Sequence, residues 1–294
     1  MKSKILSNFL LLLIAMIWGF AFVAQVEGAS SLAAFSFNGT RFLIGTVALI
    51  PAVLFFERGR TDREEGRRTL IASLLAGLVL FTASTLQQYG IQMTASAGIS
   101  GFITGLYTVF IPLVCFLLFR QRIGWNVWLG AILAVVGLFL LCYRPGEGLH
   151  FGMGELLLLI GSFFWTAHVI LVDRLGKRIR SLHFAWGQFA VCAVLGVLGM
   201  LIFEQPSMES LWSARIPLLY CGVLSVGVAY TLQVVAQKRA DPTFAAIVLS
   251  TESVFSAIGG VIFGIDALSL LGYAGCALIF GGIVFSQITT KKSE

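Results

Sequence analysis

Charge is what this chain has least of. Asp, Glu, Lys and Arg make up 12% of its 294 residues, against about 25% in a soluble domain. An ordinary water-soluble fold is excluded, because such a fold needs a charged surface. Histidine is scarcer still. The three present (His150, His168 and His183) are too scattered for a metal site. Five cysteines (Cys115, Cys142, Cys192, Cys221 and Cys276) show no metal-like spacing and read as small packing residues. No metal or cofactor is therefore expected. GxSxG, HExxH and glycine-rich phosphate loops are all missing, which counts against an enzyme. Long polar connections are missing too, so there is no room for a soluble domain.

What the chain does have is apolar length. It is 58% hydrophobic with 25 phenylalanines, and its mean hydropathy is +0.93. A membrane-spanning helix needs about 20 largely apolar residues. Ten stretches meet that need, at 6–26, 33–56, 69–89, 95–118, 126–142, 152–172, 182–203, 212–236, 242–264 and 268–288. Lys2 and Lys4 precede the first run as in a signal peptide, but no clean cleavage site follows, so it reads as a retained first helix. Ten crossings put both termini on one side. Loops there hold 17 of the 20 basic residues, from Lys2 and Lys4 through Arg58, Arg60, Arg122, Lys177, Arg178, Lys238 and Arg239 to Lys291 and Lys292. The other side holds Arg144 and Arg215, and Arg41 lies within a helix. The positive-inside rule then places both termini in the cytoplasm of a cell whose inner membrane holds the chain. The basic balance is topological, so nucleic acid is excluded as a partner and contact with membrane lipid is expected.

The chain also repeats itself. Residues 10–55 resemble 157–202 at an offset of 147, and residues 92–139 resemble 237–284 at 145. Trp18 falls on Trp165, Arg41 on Gln188, Gln92 on Gln237, Gly130 on Gly275 and Gly137 on Gly282. Five helices per half is an odd number, so the halves enter the membrane from opposite sides. The expected fold is all-α, two inverted five-helix repeats at 1–146 and 147–294 in one membrane domain, with a substrate site between them. Gly98, Gly101 and Gly105, and Gly272, Gly275 and Gly282, are spaced for close helix packing. Pro51 and Pro112 lie mid-helix, and Pro242 starts one. The charged 57–69 loop carries no visible chemistry.

Ionisable side chains inside a bilayer are expensive and tend to face an interior cavity. Glu252 lies about 15 Å deep at ~1.5 Å per residue. It reads either as a proton or amine site or as a protonated carboxyl bonded between helices. Arg41, about 12 Å deep, reads as a carboxylate clamp or as a structural donor to backbone. Glu155 is interfacial. Around them, Gln87 and Gln233, Tyr107 and Glu252, and Trp18 and Trp165 are repeat mates. His168 lies one turn from Trp165, and Tyr230 shares a face with Gln233. Trp186 and Gln188 are nearer one membrane face. Trp18, Gln87, Tyr107, Trp165, His168, Tyr230, Gln233 and Glu252 are the candidate substrate-binding set, on helices one, three, four, six, eight and nine. Such a lining suits a small amphipathic solute.

Several stretches taken together resemble a known family. They are Trp18-Gly19, Arg41, Leu86-Gln87-Gln88-Tyr89-Gly90, the run Ala97 to Tyr107 with Pro112, Gly154-Glu155, Asp241-Pro242-Thr243 and Ser250 to Phe255. The chain resembles the ten-helix EamA type of the drug/metabolite transporter superfamily over nearly its whole length. Members often end helices four and nine with Gly-Glu, where this chain has Arg120-Gln121-Arg122 and Ile265-Asp266. They often follow the helix-nine glutamate with proline, where it has Ser253. The resemblance implies a secondary active exporter of small metabolites such as amino acids or amines, working by alternating access. Protons are one candidate coupling ion. An uncoupled facilitator, a channel and an intramembrane enzyme are the alternatives.

Overall fold

A computed structural model describes residues 2–59, 62–120, 124–144, 148–176, 179–230, 232–233 and 248–287. Its helices are α1 (Lys2–Ala29), α2 (Ala34–Phe56), α3 (Arg63–Thr94), α4 (Ala97–Gly105), α5 (Tyr107–Phe119) and α6 (Trp125–Cys142), then α7 (Met153–Leu175) and α8 (Ser181–Gly199). A π-helical turn, Met200–Glu204, ends α8. Two short helices follow, α9 (Met208–Ser213) and α10 (Arg215–Leu219), and α10 runs on as a π-helix, Tyr220–Ala229. The last helices are α11 (Glu252–Ile262) and α12 (Leu270–Gln287). The remaining pairing is two residues long, Tyr143–Arg144 against Gly148–Leu149.

Among the described residues, seven helical segments are long and apolar enough to cross a membrane. Arg215–Ala229, Val248–Ile262 and Leu270–Ser286 are shorter apolar helices. Basic residues Arg60, Arg122, Lys177, Arg178, Lys238, Arg239, Lys291 and Lys292, with Gln237 and Pro242, lie outside the described residues.

Two local expectations are corrected. The charged 57–69 segment is mostly helix, because α3 starts at Arg63. Asp62 accepts the Glu65 amide at 2.7 Å, and Glu64 and Glu65 fill the first turn, where the helix dipole favours acid. The break in the fourth apolar stretch falls at Leu106, between α4 and α5, ahead of Pro112.

The helices pair in a regular way. α2 packs on α8, α4 on α11, and α6 on α12. α3 packs on α7 and α8, while α1 and α2 pack on the π-helix. α1 also packs on α11, and α4 and α5 on α7. The α6–α12 seam shows why small residues matter without a hydrophobic force between helices in lipid. A Cβ on Gly137 would lie 2.7 Å from the Gly275 carbonyl oxygen, and one on Gly275 2.6 Å from that of Gly137. Gly137→Leu is therefore expected to cost about 1–3 kcal/mol by overpacking. A drop in melting temperature checks this, and an unchanged melt would refute the seam.

The α2–α8 pair is held at both ends by carboxylates. Glu57 follows α2. Its two oxygens accept the Leu182 and His183 amides at 3.0 Å each, and Oε2 lies 2.7 Å from His183 Nδ1. Glu204 ends the π-turn after α8. Its oxygens accept the Phe35 amide at 2.9 Å, the Ser36 amide at 2.6 Å and the Ser36 hydroxyl at 2.7 Å. Each carboxylate thus caps the other helix's N-terminus, where free amides and the dipole welcome an anion.

Burial pushes the Glu57 carboxyl up, but the amides of Leu182 and His183 and the His183 ring outweigh it and hold the group below its ordinary 4.5. A lowered folded pKa adds stability that is present above the ordinary value. It is lost as pH falls through the lower one. Acidification below about 4.5 should therefore lower the melting temperature more steeply in the native chain than in Glu57→Gln. Parallel curves would show that the clasp contributes nothing.

Candidate functional site

One cavity of about 680 Å³ runs between the helices. It reaches Asp173, Gly176 and Ser181 at the α2–α3 end of the bundle, where Asp173 is exposed. The opposite, α1–α2 end is stitched by polar side chains. Arg41 donates to Gln25 Oε1 at 3.0 Å, and Gln88 to the Gln25 carbonyl at 3.2 Å. Gln92 donates to the Leu32 carbonyl at 2.9 Å, and Asn38 to that of Ser84 at 2.9 Å. The Gly98 amide donates to Asp266 at 2.7 Å. Asp266 stands where the family's Gly-Glu pair is replaced, and it ties the start of α4 to the segment after α11.

The eight candidate substrate-binding residues, Trp18, Gln87, Tyr107, Trp165, His168, Tyr230, Gln233 and Glu252, line this cavity together with Arg41. Trp18 donates its indole N–H to the Ser225 carbonyl at 3.2 Å and packs 5.3 Å from Tyr230. Trp165 meets His168 edge-on at 5.8 Å, and its indole nitrogen is buried without a hydrogen-bond partner. His168 Nε2 lies 2.7 Å from Gln188 Oε1. Gln87 donates to the Thr104 hydroxyl at 3.2 Å. Glu155 is elsewhere, accepting the Gly152 amide at 3.0 Å in the first turn of α7. Trp186 is 38% exposed and absent from the lining.

The set of lining helices is wider than expected. α2 adds Arg41 and Phe42, and α8 adds Phe184, Ala185 and Gln188. The reason is a backbone-to-backbone crossing that brings these two helices to the centre. A Cβ on Gly39 would lie 2.6 Å from the Gly196 carbonyl carbon. Gln25, Thr104 and Ser225 also line the cavity and were not singled out. The signal for them was the same as for Gln87, a polar residue in an apolar run.

Helix breaks aim the two central polar groups. Tyr107 follows the break at Leu106, and Glu252 follows a turn at Thr251. At an offset of 145 these are equivalent positions. Tyr107 and Glu252 lie within electrostatic reach of each other, and the Glu252 carboxyl sits in the first turn of α11, the end of the helix that favours negative charge. Ser253, in place of the family's proline, donates to the Gly101 carbonyl at 3.0 Å and joins α11 to α4. Interrupted helices of this kind build ion and solute sites in transporters.

Arg41 is 5% exposed and Glu252 is 7% exposed. Arg41 stacks on Phe42 at 5.0 Å and Phe37 at 5.8 Å, and its Nε has no hydrogen-bond partner. Among the described residues neither side chain forms an ion pair. Tyr230 stands within electrostatic reach of both. One fixed cation and one carboxyl thus face a shared space, each with spare bonding capacity.

Comparison with known proteins adds the family. The model of the EamA-like transporter family matches residues 5–143 and 152–287. An uncharacterized transporter of Archaeoglobus fulgidus is 26% identical over 95% of this chain and 84% of its own length. The uncharacterized transporter YoaV of Bacillus subtilis is 24% identical over 96% of both. The threonine/homoserine exporter RhtA of Escherichia coli is 26% identical over 92% of this chain and 90% of its own. A solved crystal structure shares the fold at a TM-score of 0.69 and 21% identity, covering 95% of this chain and 97% of that one.

Proposed function

Because the chain belongs to the EamA-like transporter family and is therefore a multi-pass membrane transporter and not an enzyme, we propose that it exports small zwitterionic metabolites, amino acids foremost, by alternating access. The observation that carries the substrate class is the pair Arg41 and Glu252. An α-amino acid brings a carboxylate for the guanidinium fork and an ammonium for the carboxyl. The aromatic faces of Trp18, Trp165 and Tyr230 hold its side chain. The similarity to a threonine/homoserine exporter supports the same class.

Ten crossings in two inverted halves, 1–146 and 147–294, are the arrangement that goes with this reading. The two-segment family match supports it. So does the pairing of helices, since α2 on α8 and α6 on α12 each join equivalent positions. The bias of basic residues supports cytoplasmic termini in the inner membrane. On that topology the cavity opens to the cytoplasm, the side from which an exporter loads. Glu252 is the proposed proton site, and a facilitator without ion coupling is what remains if it does not titrate with transport.

The test is a thermal-shift screen of purified protein against amino acids, amines, nucleotides and sugars, because a ligand of the folded state raises its apparent stability. Amino acids should raise the melting temperature, with the rise lost in Gln233→Ala and Glu252→Gln. A shift with sugars or nucleotides alone would overturn the substrate class.

A further inference from the structure

The two carboxylate clasps are related to each other in sequence. Glu57 and Glu204 stand 147 residues apart, and so do Phe35 and Leu182, and Ser36 and His183. The geometry follows the numbering. Oε1 of each glutamate takes the first amide, and Oε2 takes the second amide and the side chain of the same residue. Between the clasps, α2 and α8 touch backbone to backbone at Gly39 and Gly196. Three ties therefore join one pair of helices along its length. A second layer backs the Glu57 end, where Arg180 donates to the Glu57 and Gly59 carbonyls at 3.0 and 3.1 Å and stands 3.7 Å from Glu65.

We infer that Glu57 and Glu204 are positioning residues that keep α2 and α8 a single unit throughout the transport cycle, so that Arg41 and Gln188 are presented to the cavity from a frame that does not move. This unit rests on the alternating-access reading proposed above and on one feature of the state seen. The cavity lining reaches exposed Asp173 at one end, and hydrogen bonds cross between helices at the other, yet both clasps are made. A gate would be made at the closed end and broken at the open one. Exchange of two inverted halves turns each clasp into the other. The state open to the opposite side therefore has both clasps as well, and neither has to break. The moving parts are the remaining helices, α1 with α11 and α4 with α7.

Pulsed electron resonance distances test this without a known substrate. Spin labels go on exposed positions of α2 and α8, Leu43→Cys with Val194→Cys, and on a reporter pair across the cavity, Leu12→Cys on α1 with Phe163→Cys on α7. The probes are pH from 5 to 8 and saturating threonine. The α2–α8 distance should stay single under every condition while the reporter pair shifts between two populations. In Glu57→Gln/Glu204→Gln, or in either single variant should the double fail to fold, the α2–α8 distance should broaden. Two α2–α8 populations in the native chain, with a shifting reporter, would overturn the fixed unit and leave the carrier intact. A sharp α2–α8 distance in the folded variants would remove the carboxylates' role. A static reporter pair would count against alternating access itself and take this inference with it.

Discussion

Glu252→Gln should slow exchange of amino acids across a proteoliposome membrane about 100-fold and flatten its dependence on pH. Glutamine keeps the size of the side chain and an acceptor oxygen. What it removes is the charge. A substrate ammonium would then enter a buried site without its counter-charge, and losing one partner of a desolvated pair costs about 2–5 kcal/mol. At about 1.4 kcal/mol per tenfold, two orders of magnitude correspond to about 2.8 kcal/mol, in the lower half of that range. The pH effect is a separate reading of the same variant, since glutamine cannot carry a proton through the cycle. Counterflow measured between pH 5 and 8 gives both. Full rate with the native pH profile would end the role assigned to Glu252. A lower rate with the profile unchanged would keep ammonium recognition and remove proton coupling.

Arg41→Ala should weaken amino-acid binding by a similar factor, about 100-fold, for the opposite end of the solute. The guanidinium is nearly buried, keeps an unpartnered Nε and is steadied by Gln25, Phe37 and Phe42. On the proposed reading it is a pre-arranged fork for a carboxylate, so its loss should cost the charge-assisted bonds, about 2–5 kcal/mol. Arg41→Lys should fall in between, because an ammonium supplies the charge without the fork. Simple amines, which carry no carboxylate, provide the control. They should bind the native chain and Arg41→Ala alike. An equal loss for amines and amino acids would show that Arg41 shapes the cavity and does not touch the solute.

Much of this site is legible in the residues because polar groups are so few in the apolar runs. Gln87, Tyr107, His168 and Glu252 stand out against leucine and phenylalanine, and the cost of burying them implies a shared interior. What sequence hides is geometry between distant segments. α2 and α8 enter the lining because Gly39 meets Gly196, a contact that no local pattern announces. The break ahead of Glu252 has no proline or glycine beside Thr251 to mark it, although Gly105 stands at the one ahead of Tyr107. The clasps were hidden differently. The matched stretches stop at residues 55 and 202, where the chain turns polar and apolar likeness fades. Two residues further, Glu57 and Glu204 continue the register. The 57–69 segment looked like loop because its charge was read as solvation, although Asp62, Glu64 and Glu65 are the start of a helix.

The π-helix at Tyr220–Ala229 sets the two halves apart. Its counterpart stretch in α3 is ordinary α-helix. In a π-helix each turn is wider and holds an additional residue, so this limb of the bundle is a different spring from its partner. A carrier with two identical limbs would rest equally on either side of the membrane when empty. On the alternating-access reading proposed above, unequal limbs would give the empty protein a waiting side, and a preference of only about 1.4 kcal/mol would leave ten molecules facing one compartment for each facing the other. Such a bias decides which compartment is served first without adding any driving force, because it favours one resting posture while the solute gradient and any coupled ion still set the direction of net flow.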